Sequence, residues 1–297
     1  MTMSNLSEKV NNKSNNILIL FITYFPDIEM VNKINYISAY YNCLVVDNTE
    51  FIDKKDVLLT NQCTCEVLIN GANVGVAKAL NMGCKAALDA GYRFVITMDQ
   101  DSNINSEVID ELLEFYKNNL SDKISIISPR HILQGGVAST YDAFPLDVTS
   151  DGIFTMTSGN LLDLSIWKEI GGFSDDLFID FVDIDYYCKS LKRGARVITL
   201  NTVTMKHNLG DLKVKRFIVD WKVFNHSSIR KYYQIRNVLI MLKRHSSDYL
   251  PRGFVFRYLI NLIITTTFFE KNKLSKIKMM FYGLKDFFLG RMGKFQN

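Results

Sequence analysis

Cysteine is scarce: Cys43, Cys63, Cys65, Cys84 and Cys188 are the five in a chain of 297 residues. Their odd number and irregular spacing exclude a disulfide-stapled scaffold, and the C-x-C at Cys63 and Cys65 has no second pair at zinc-finger spacing. The common phosphate fingerprints are also missing. No Gly-x-Gly-x-x-Gly follows the first apolar run and no P-loop occurs, which removes the dinucleotide-dependent dehydrogenases and the P-loop NTPases. No G-x-S-x-G nucleophile elbow is present. The most hydrophobic run, "YLINLIITTTFF" (258–269), has only 12 residues between Arg257 and Glu270, too few to span a bilayer. The opening "MTMSNLSEKVNNKSNN" is polar and Asn-rich and lacks the apolar segment of a signal peptide. It reads as disordered, and a reducing, cytoplasmic setting is expected. No internal repeat is visible.

What is present is a 47% hydrophobic chain, long enough for one large core. Charge is unevenly spread along it. Residues 1–188 hold 12 Lys and Arg against 26 Asp and Glu, a balance of −14; residues 189–297 hold 23 against 5, a balance of +18. Such asymmetry predicts an anionic partner for the C-terminal part, with a solvated basic face as the alternative.

Apolar, β-branched runs at "ILILFITY" (17–24), "CLVVDN" (43–48), "CEVLIN" (65–70), "RFVITM" (93–98) and "ISIIS" (124–128, before Pro129) predict strands buried on both faces. "NYISAYYN" (35–42) reads as a short helix. Ala77, Leu80, Cys84 and Leu88 fall on one helical stripe that Gly91 can close. Ser106 can cap a second helix whose apolar face is Ile109, Leu112, Leu113 and Tyr116. Later come a turn at Gly159-Asn160, a short helix ending at Gly171-Gly172, the helix "VDIDYYCKSLKRG" and the strand "ARVITL"; beyond about residue 215 the chain reads as basic and helical. Alternating strands and helices give an α/β domain with a mainly parallel sheet.

In such sheets ligands bind beyond the carboxyl ends of the strands. Three predicted strands end in polar residues: Thr23-Tyr24, Asp47-Asn48, and Asp99-x-Asp101 in "FVITMDQDSN". Two like charges side by side require solvent or a cation. Either turn chemistry or a hard divalent metal with oxygen ligands accounts for the D-x-D. A second acidic cluster, "DDLFIDFVDIDYY", puts Asp183 near a helix start, as a cap and dipole partner or as a general base, with Asp180 and Asp185 as supporting or surface acids. His207, in "MKHNLGD", is either structural or a ligand.

Taken in order, "TYFPD", "VVDN", "NGANVGVAKALNMG", "MDQDS", "TMTSGNLLDLSIWKEIGGFSDDLFIDFVDIDYYCKSLKRG", "HNLG" and "RKYYQIRN" resemble the family 2 glycosyltransferases of the GT-A fold. Within them, they look like the bacterial rhamnosyltransferase branch. The likeness covers roughly residues 17–240. It implies a GT-A nucleotide-diphospho-sugar transferase fold, with a disordered stretch at 1–16, a catalytic domain at 17–214 and a basic helical region at 215–297. It also implies site roles. Thr23, Tyr24 and Asp47 would hold base and ribose, Asn73 and Gly75 would line the same pocket, and Lys78 would lie nearby. Asp99 would contact ribose or a metal-bound water. Asp101 would be the main ligand of Mg²⁺ or Mn²⁺, with His207 beside metal and diphosphate, and Asp183 would be the catalytic base. The family often has Glu before that Asp, where Val182 stands here, as in the rhamnosyl branch. Lys189 replaces an Arg that commonly closes the motif, and Lys cannot make a bidentate fork.

The function so implied is inverting, metal-dependent transfer of a sugar, L-rhamnose from dTDP-L-rhamnose, to a glycan or lipid-linked glycan acceptor in cell-surface polysaccharide synthesis. The C-terminal region would then meet an anionic membrane surface, with packing on the core or pairing of two subunits as alternatives. No nucleic-acid module is recognisable. Two rival functions remain open at the level of sequence. One is a haloacid-dehalogenase-type phosphatase using Asp99 and Asp101; the other is a non-catalytic nucleotide-sugar-binding, membrane-associated scaffold.

Overall fold

A computed structural model describes residues 16–50, 62–100, 102–133, 149–151, 156–207, 213–216, 220–245, 247 and 249–296. Its centre is an eight-stranded sheet in the order β3-β2-β1-β4-β7-β5-β8-β6. Four strands, β1 (Ile17–Thr23), β2 (Asn42–Asp47), β3 (Glu66–Ile69) and β4 (Phe94–Asp99), form a parallel half. Strand β7 (Asn160–Asp163) runs antiparallel between β4 and β5 (Ile124–Leu133). Strand β8 (Arg196–His207) is again parallel to β5, and β6 (Thr149–Asp151) closes the edge antiparallel to β8. A separate antiparallel pair joins β9 (Lys213–Arg216) and β10 (Asp220–Val223).

The continuous apolar runs follow from burial on both faces. Side chains alternate across a strand, so Ile17, Ile19 and Phe21 of β1 enter one core and Leu18, Leu20 and Ile22 the other. The first core is completed by α1 (Ile28–Ser38) and α3 (Ser106–Asn118). The second is completed by α2 (Val76–Asp89), α4 (Leu164–Ile170), α5 (Val182–Lys192) and α6 (Ser228–Arg244). Helix α2 lies close on β1: a Cβ at Gly83 would come within 2.3 Å of the Leu20 side chain.

Three local expectations need correction. Of the helix expected at 35–42 only 35–38 is helical, as the end of α1, and Asn42 already opens β2; α1 starts earlier because the Asp27 carboxylate accepts the Met30 N–H at 2.9 Å. Asn105, not Ser106, caps α3, its side chain accepting the Val108 N–H at 3.0 Å. Strand β5 does not stop before Pro129. It continues to Leu133 with a register shift between Pro129 and Arg130, the way a strand accommodates a residue that has no N–H.

Beyond α6, helix α7 (Arg252–Ile264) runs into a π-helical turn (Thr265–Phe269), and α8 (Lys273–Phe288) packs along α6. Val238, Ile240 and Met241 of α6, with Leu250 and Val255, belong to the main core. The basic helical region is therefore docked on the α/β body. A buried cluster, Lys231 and Lys276 flanking Glu270 at 2.7 and 2.8 Å, ties α6, the π turn and α8 together. Residues 1–15 of the stretch expected to be disordered lie outside the described residues. The Asn16 carbonyl accepts the backbone N–H groups of Arg93 and Phe94. All five cysteines are free thiols.

Candidate active site

Strands β1 and β4 are neighbours, and their carboxyl ends, Thr23 and Asp99, open into a cleft of about 710 Å³. One wall comes from β1 and β2. Asp47 is buried behind it, where its Oδ1 accepts from Thr23 Oγ1 at 2.7 Å and Thr49 Oγ1 at 2.9 Å. Asn48, the next residue, lines the cleft and donates to the Gly75 carbonyl at 3.2 Å. Tyr24 stands at the mouth, exposed, its backbone N–H donated to Gln100 Oε1 at 3.0 Å.

Helix α2 aims its N-terminus into the same cleft. Asn73 Oδ1 accepts the Gly75 N–H at 3.0 Å, and Gly75 has φ +88°. A Cβ there would also lie 2.7 Å from both the ring and the carbonyl of Phe178, so only glycine fits. The Phe178 carbonyl in turn accepts the Val76 N–H at 2.7 Å, which joins the helix to the opposite wall.

That opposite wall is the loop 178–183 leading into α5. Phe178, Asp180 and Phe181 all have φ between 62 and 68°. Non-glycine residues in the left-handed region store strain on the order of 1–3 kcal/mol each and persist only where their surroundings fix them. Helix α6 does the fixing. Asn237 Nδ2 donates to the carbonyls of Leu177 (2.9 Å), Ile179 (2.7 Å) and Asp180 (3.0 Å). Arg236, fully buried, donates to Leu177 O at 3.1 Å and to Gly293 O at 2.8 Å, and its guanidinium lies over the Tyr232 and Tyr233 rings. The chain beyond α8 adds further ties: Gly293 N–H to Asp176 O (2.7 Å), Phe295 N–H to Tyr233 Oη (2.9 Å), and Lys294 to Glu50 (2.8 Å).

Asp183 emerges from this loop in the first turn of α5, half-buried on the cleft wall. Burial pushes its carboxyl up to about 6, against the Ile184 N–H donated to it at 2.8 Å; the neighbouring Asp180 charge adds to the rise and Arg230 opposes it. It caps nothing: the N-cap position is Phe181, without a side-chain bond. Asp180 is held by Arg230, whose Nε reaches both carboxylate oxygens at 3.1 Å. His226 shares the wall, its ring stacked on Phe224, and burial pushes it down to about 4 with Arg230 adding to the fall, so it is neutral at physiological pH. Asp185 is no surface acid. It is buried, accepts from His245 Nε2 at 2.9 Å and from Ser174 Oγ, and lies 4.0 Å from Lys189.

Of the residues singled out in the sequence, Thr23, Tyr24, Asn73, Gly75, Asp99 and Asp183 line one cleft, and Asp47 lies directly behind it. Lys78 is exposed on α2 and is not part of the lining. Asp101 lies outside the described residues. The backbone of His207 ends β8 opposite Leu133. Among the described residues no three His, Cys, Asp or Glu converge on a metal position. Asp99 presents a carboxylate to the cleft, a hard oxygen donor of the kind Mg²⁺ and Mn²⁺ accept. Gln100, His226, Arg230 and Asn237 were not anticipated. The available signal was polar residues, "R" and "N" in "RKYYQIRN", interrupting the apolar face of a helix.

Residues 34–156 match the family model described as glycosyl transferase family 2. The chain is 28% identical over 280 residues to the dTDP-rhamnosyl transferase RfbF of Shigella flexneri, covering 90% of this chain and 92% of that protein. The chain is a glycosyltransferase. Its fold agrees: S. aureus TarS 1–349 superposes with a TM-score of 0.56 at 15% identity, over 93% of this chain and 80% of that one. TarS 1–349 in complex with UDP-GlcNAc gives 0.54, also at 15% identity, over 93% and 81%. GalNAc-T7 with UDP, GalNAc and Mn²⁺ gives 0.51 at 12% identity, over 86% and 58%. The glycosyltransferase thus has a GT-A sheet whose D-x-D strand is the fourth in chain order, and the phosphatase alternative is set aside.

Proposed function

We propose that this glycosyltransferase moves L-rhamnose from dTDP-L-rhamnose, with inversion, onto a hydroxyl of a glycan or lipid-linked glycan. The name of the RfbF relative, along nearly the full length of both chains, supports the donor. The observation that carries the mechanism is the pair of unequal acids on one wall: Asp183 is free to exchange a proton near neutrality, whereas Asp180 is locked to Arg230. A single competent carboxylate suits one displacement. Asp183 takes the proton of the acceptor hydroxyl as its oxygen attacks the anomeric carbon, and the nucleoside diphosphate leaves from the opposite side. Thr23, Tyr24, Asn48, Asn73 and Gly75 form the nucleoside wall, with the Tyr24 ring at the mouth as a stacking surface.

The mechanism requires Mg²⁺ or Mn²⁺. Asp101 and His207 would hold the ion beside Asp99, where it would offset the charge of the departing diphosphate. Calorimetric titration with dTDP, UDP and GDP, each with and without Mn²⁺, tests donor and metal together. The expected result is Mn²⁺-dependent binding of dTDP that Asp101→Ala abolishes; binding of UDP alone would overturn the donor assignment. General-base assistance contributes roughly 10²–10⁴-fold. Asp183→Asn should therefore lose about that much turnover while binding dTDP as the parent does. Near-parental turnover would remove Asp183 from the role.

The acceptor reading extends to where the enzyme works. Among the described residues no helix is long and apolar enough to cross a membrane. The outer face of α8 instead carries Leu274, Lys278, Phe281, Lys285 and Phe288 in a row, all exposed, and Phe256, Ile260 and Ile263 are exposed on α7. Apolar side chains set among lysines suit peripheral attachment to an anionic cytoplasmic membrane face.

A further inference from the structure

The loop that delivers Asp183 places a second acid, Asp180, three residues away on the same wall of the cleft. Its position is not negotiable. Phe178, Asp180 and Phe181 are held in left-handed conformations by the side chain of Asn237, by Arg236 and by the N-terminus of α2. The two carboxylates cannot move apart by relaxing the backbone, so their repulsion must be handled by a third group. Arg230 is that group. Its Nε contacts both Asp180 oxygens at 3.1 Å and its Nη2 contacts Oδ1 at 3.1 Å, a fork-like grip made from α6, fifty residues further along the chain.

We propose that Arg230 is a positioning residue for the base: by neutralising Asp180 inside the fixed loop, it sets the pH at which the Asp183 carboxylate becomes available. The inference rests on the reading of Asp183 as the base for its catalytic meaning, but the coupling itself is a property of the three side chains. The other charges around Asp183 are few. His226, on the 224–226 segment, is neutral; Lys231, behind Arg230 on α6, is paired with Glu270; Asp99 faces across the cleft. Arg230 feels both Asp180 and Asp99, which raise its own proton affinity and keep it charged throughout the working range. With Arg230 neutralised, Asp180 would stand unpaired beside Asp183 and hold the Asp183 proton to higher pH. With both neutralised, the two changes would cancel.

The experiment is a carboxyl ¹³C NMR titration of the full chain labelled at aspartate Cγ, from pH 4 to 8. The Asp183 resonance is assigned as the one lost in Asp183→Asn. The parent should titrate near the value of about 6. Arg230→Gln should move the midpoint up by about one pH unit, which is about tenfold less carboxylate on the acid side. Asp180→Asn should move it down, and the double variant should return close to the parent. Arg230→Lys keeps the charge and should stay near the parent. Equal midpoints in the parent and Asp180→Asn would overturn the proposal even if Arg230→Gln did not fold. A double variant that kept the full Arg230→Gln shift, or an Arg230→Lys shift as large, would overturn it too. The readout needs neither donor nor acceptor. Failure of the base assignment would instead appear as near-parental turnover in Asp183→Asn.

Discussion

Asp183 is worth more to chemistry than to the fold. A carboxyl whose folded value lies near 6, above its ordinary value of 3.8, binds its proton more tightly in the native protein than in the unfolded chain. Ionising it above pH 6 therefore works against folding, and the penalty disappears as pH falls through 6 toward the unfolded value. Asp183→Asn should accordingly melt higher than the parent at pH 8, with the gap closing by about pH 4. Melting temperatures across that range check it, and a variant that melts lower at pH 8 would mean the carboxylate is a structural asset. The same trade is common at active sites, where function and stability pull apart. Gly75 shows the opposite balance at this scale: its φ of +88° and its contact with Phe178 leave room for one residue type, and fold and site need it for the same reason.

At the scale of elements, the bond between α6 and the 177–181 loop decides whether the site exists. Asn237→Ala removes three hydrogen bonds to backbone carbonyls, at roughly 1 kcal/mol each, so about 3 kcal/mol of stability is expected to go, Leu177 O alone keeping a side-chain donor in Arg236. The melting temperature should drop on the order of 5–10 °C, with turnover falling further than nucleotide binding because the loop carries Asp183 but not the β1 and β2 wall. Unchanged turnover would mean the loop holds its shape without α6. These ties also explain what could be read in advance. Strands β1, β2 and β4 are legible because burial on both faces leaves an unbroken apolar run, and α2 because its stripe repeats at helical spacing. Asp183 is legible as an acid at a helix start. Arg230 and Asn237 are marked only as polar residues in "RKYYQIRN", and what they hold is not legible, since each has its partner fifty or sixty positions back. Helix α1 begins at Ile28, ahead of the aromatic run "NYISAYYN", because the cap that starts it is Asp27. Proline usually ends a strand, and the register shift with β8 lets β5 continue through Pro129.

At the scale of the whole molecule, the basic third of the chain is both a packed part of the core and a candidate docking face. Deleting residues 251–297 would take Val255 out of the main core and Gly293 away from Arg236, so truncation is a poor probe of membrane attachment. Phe281→Glu with Phe288→Glu changes only exposed positions. It should lower the fraction sedimenting with phosphatidylglycerol vesicles, whereas neutral phosphatidylcholine vesicles should bind little of either protein. Equal sedimentation of parent and variant would leave the stripe free to serve another surface, such as a second subunit. The ties of Gly293 and Phe295 to Asp176 and Tyr233 carry one more consequence, for the order in which a newborn chain becomes an enzyme. At about 5–20 residues per second, the roughly hundred residues that separate Asp183 from those partners take on the order of ten seconds to synthesise. During that interval the sheet can assemble while the base still lacks its final clasp. Activity should therefore arrive abruptly, late in translation, and not grow with chain length.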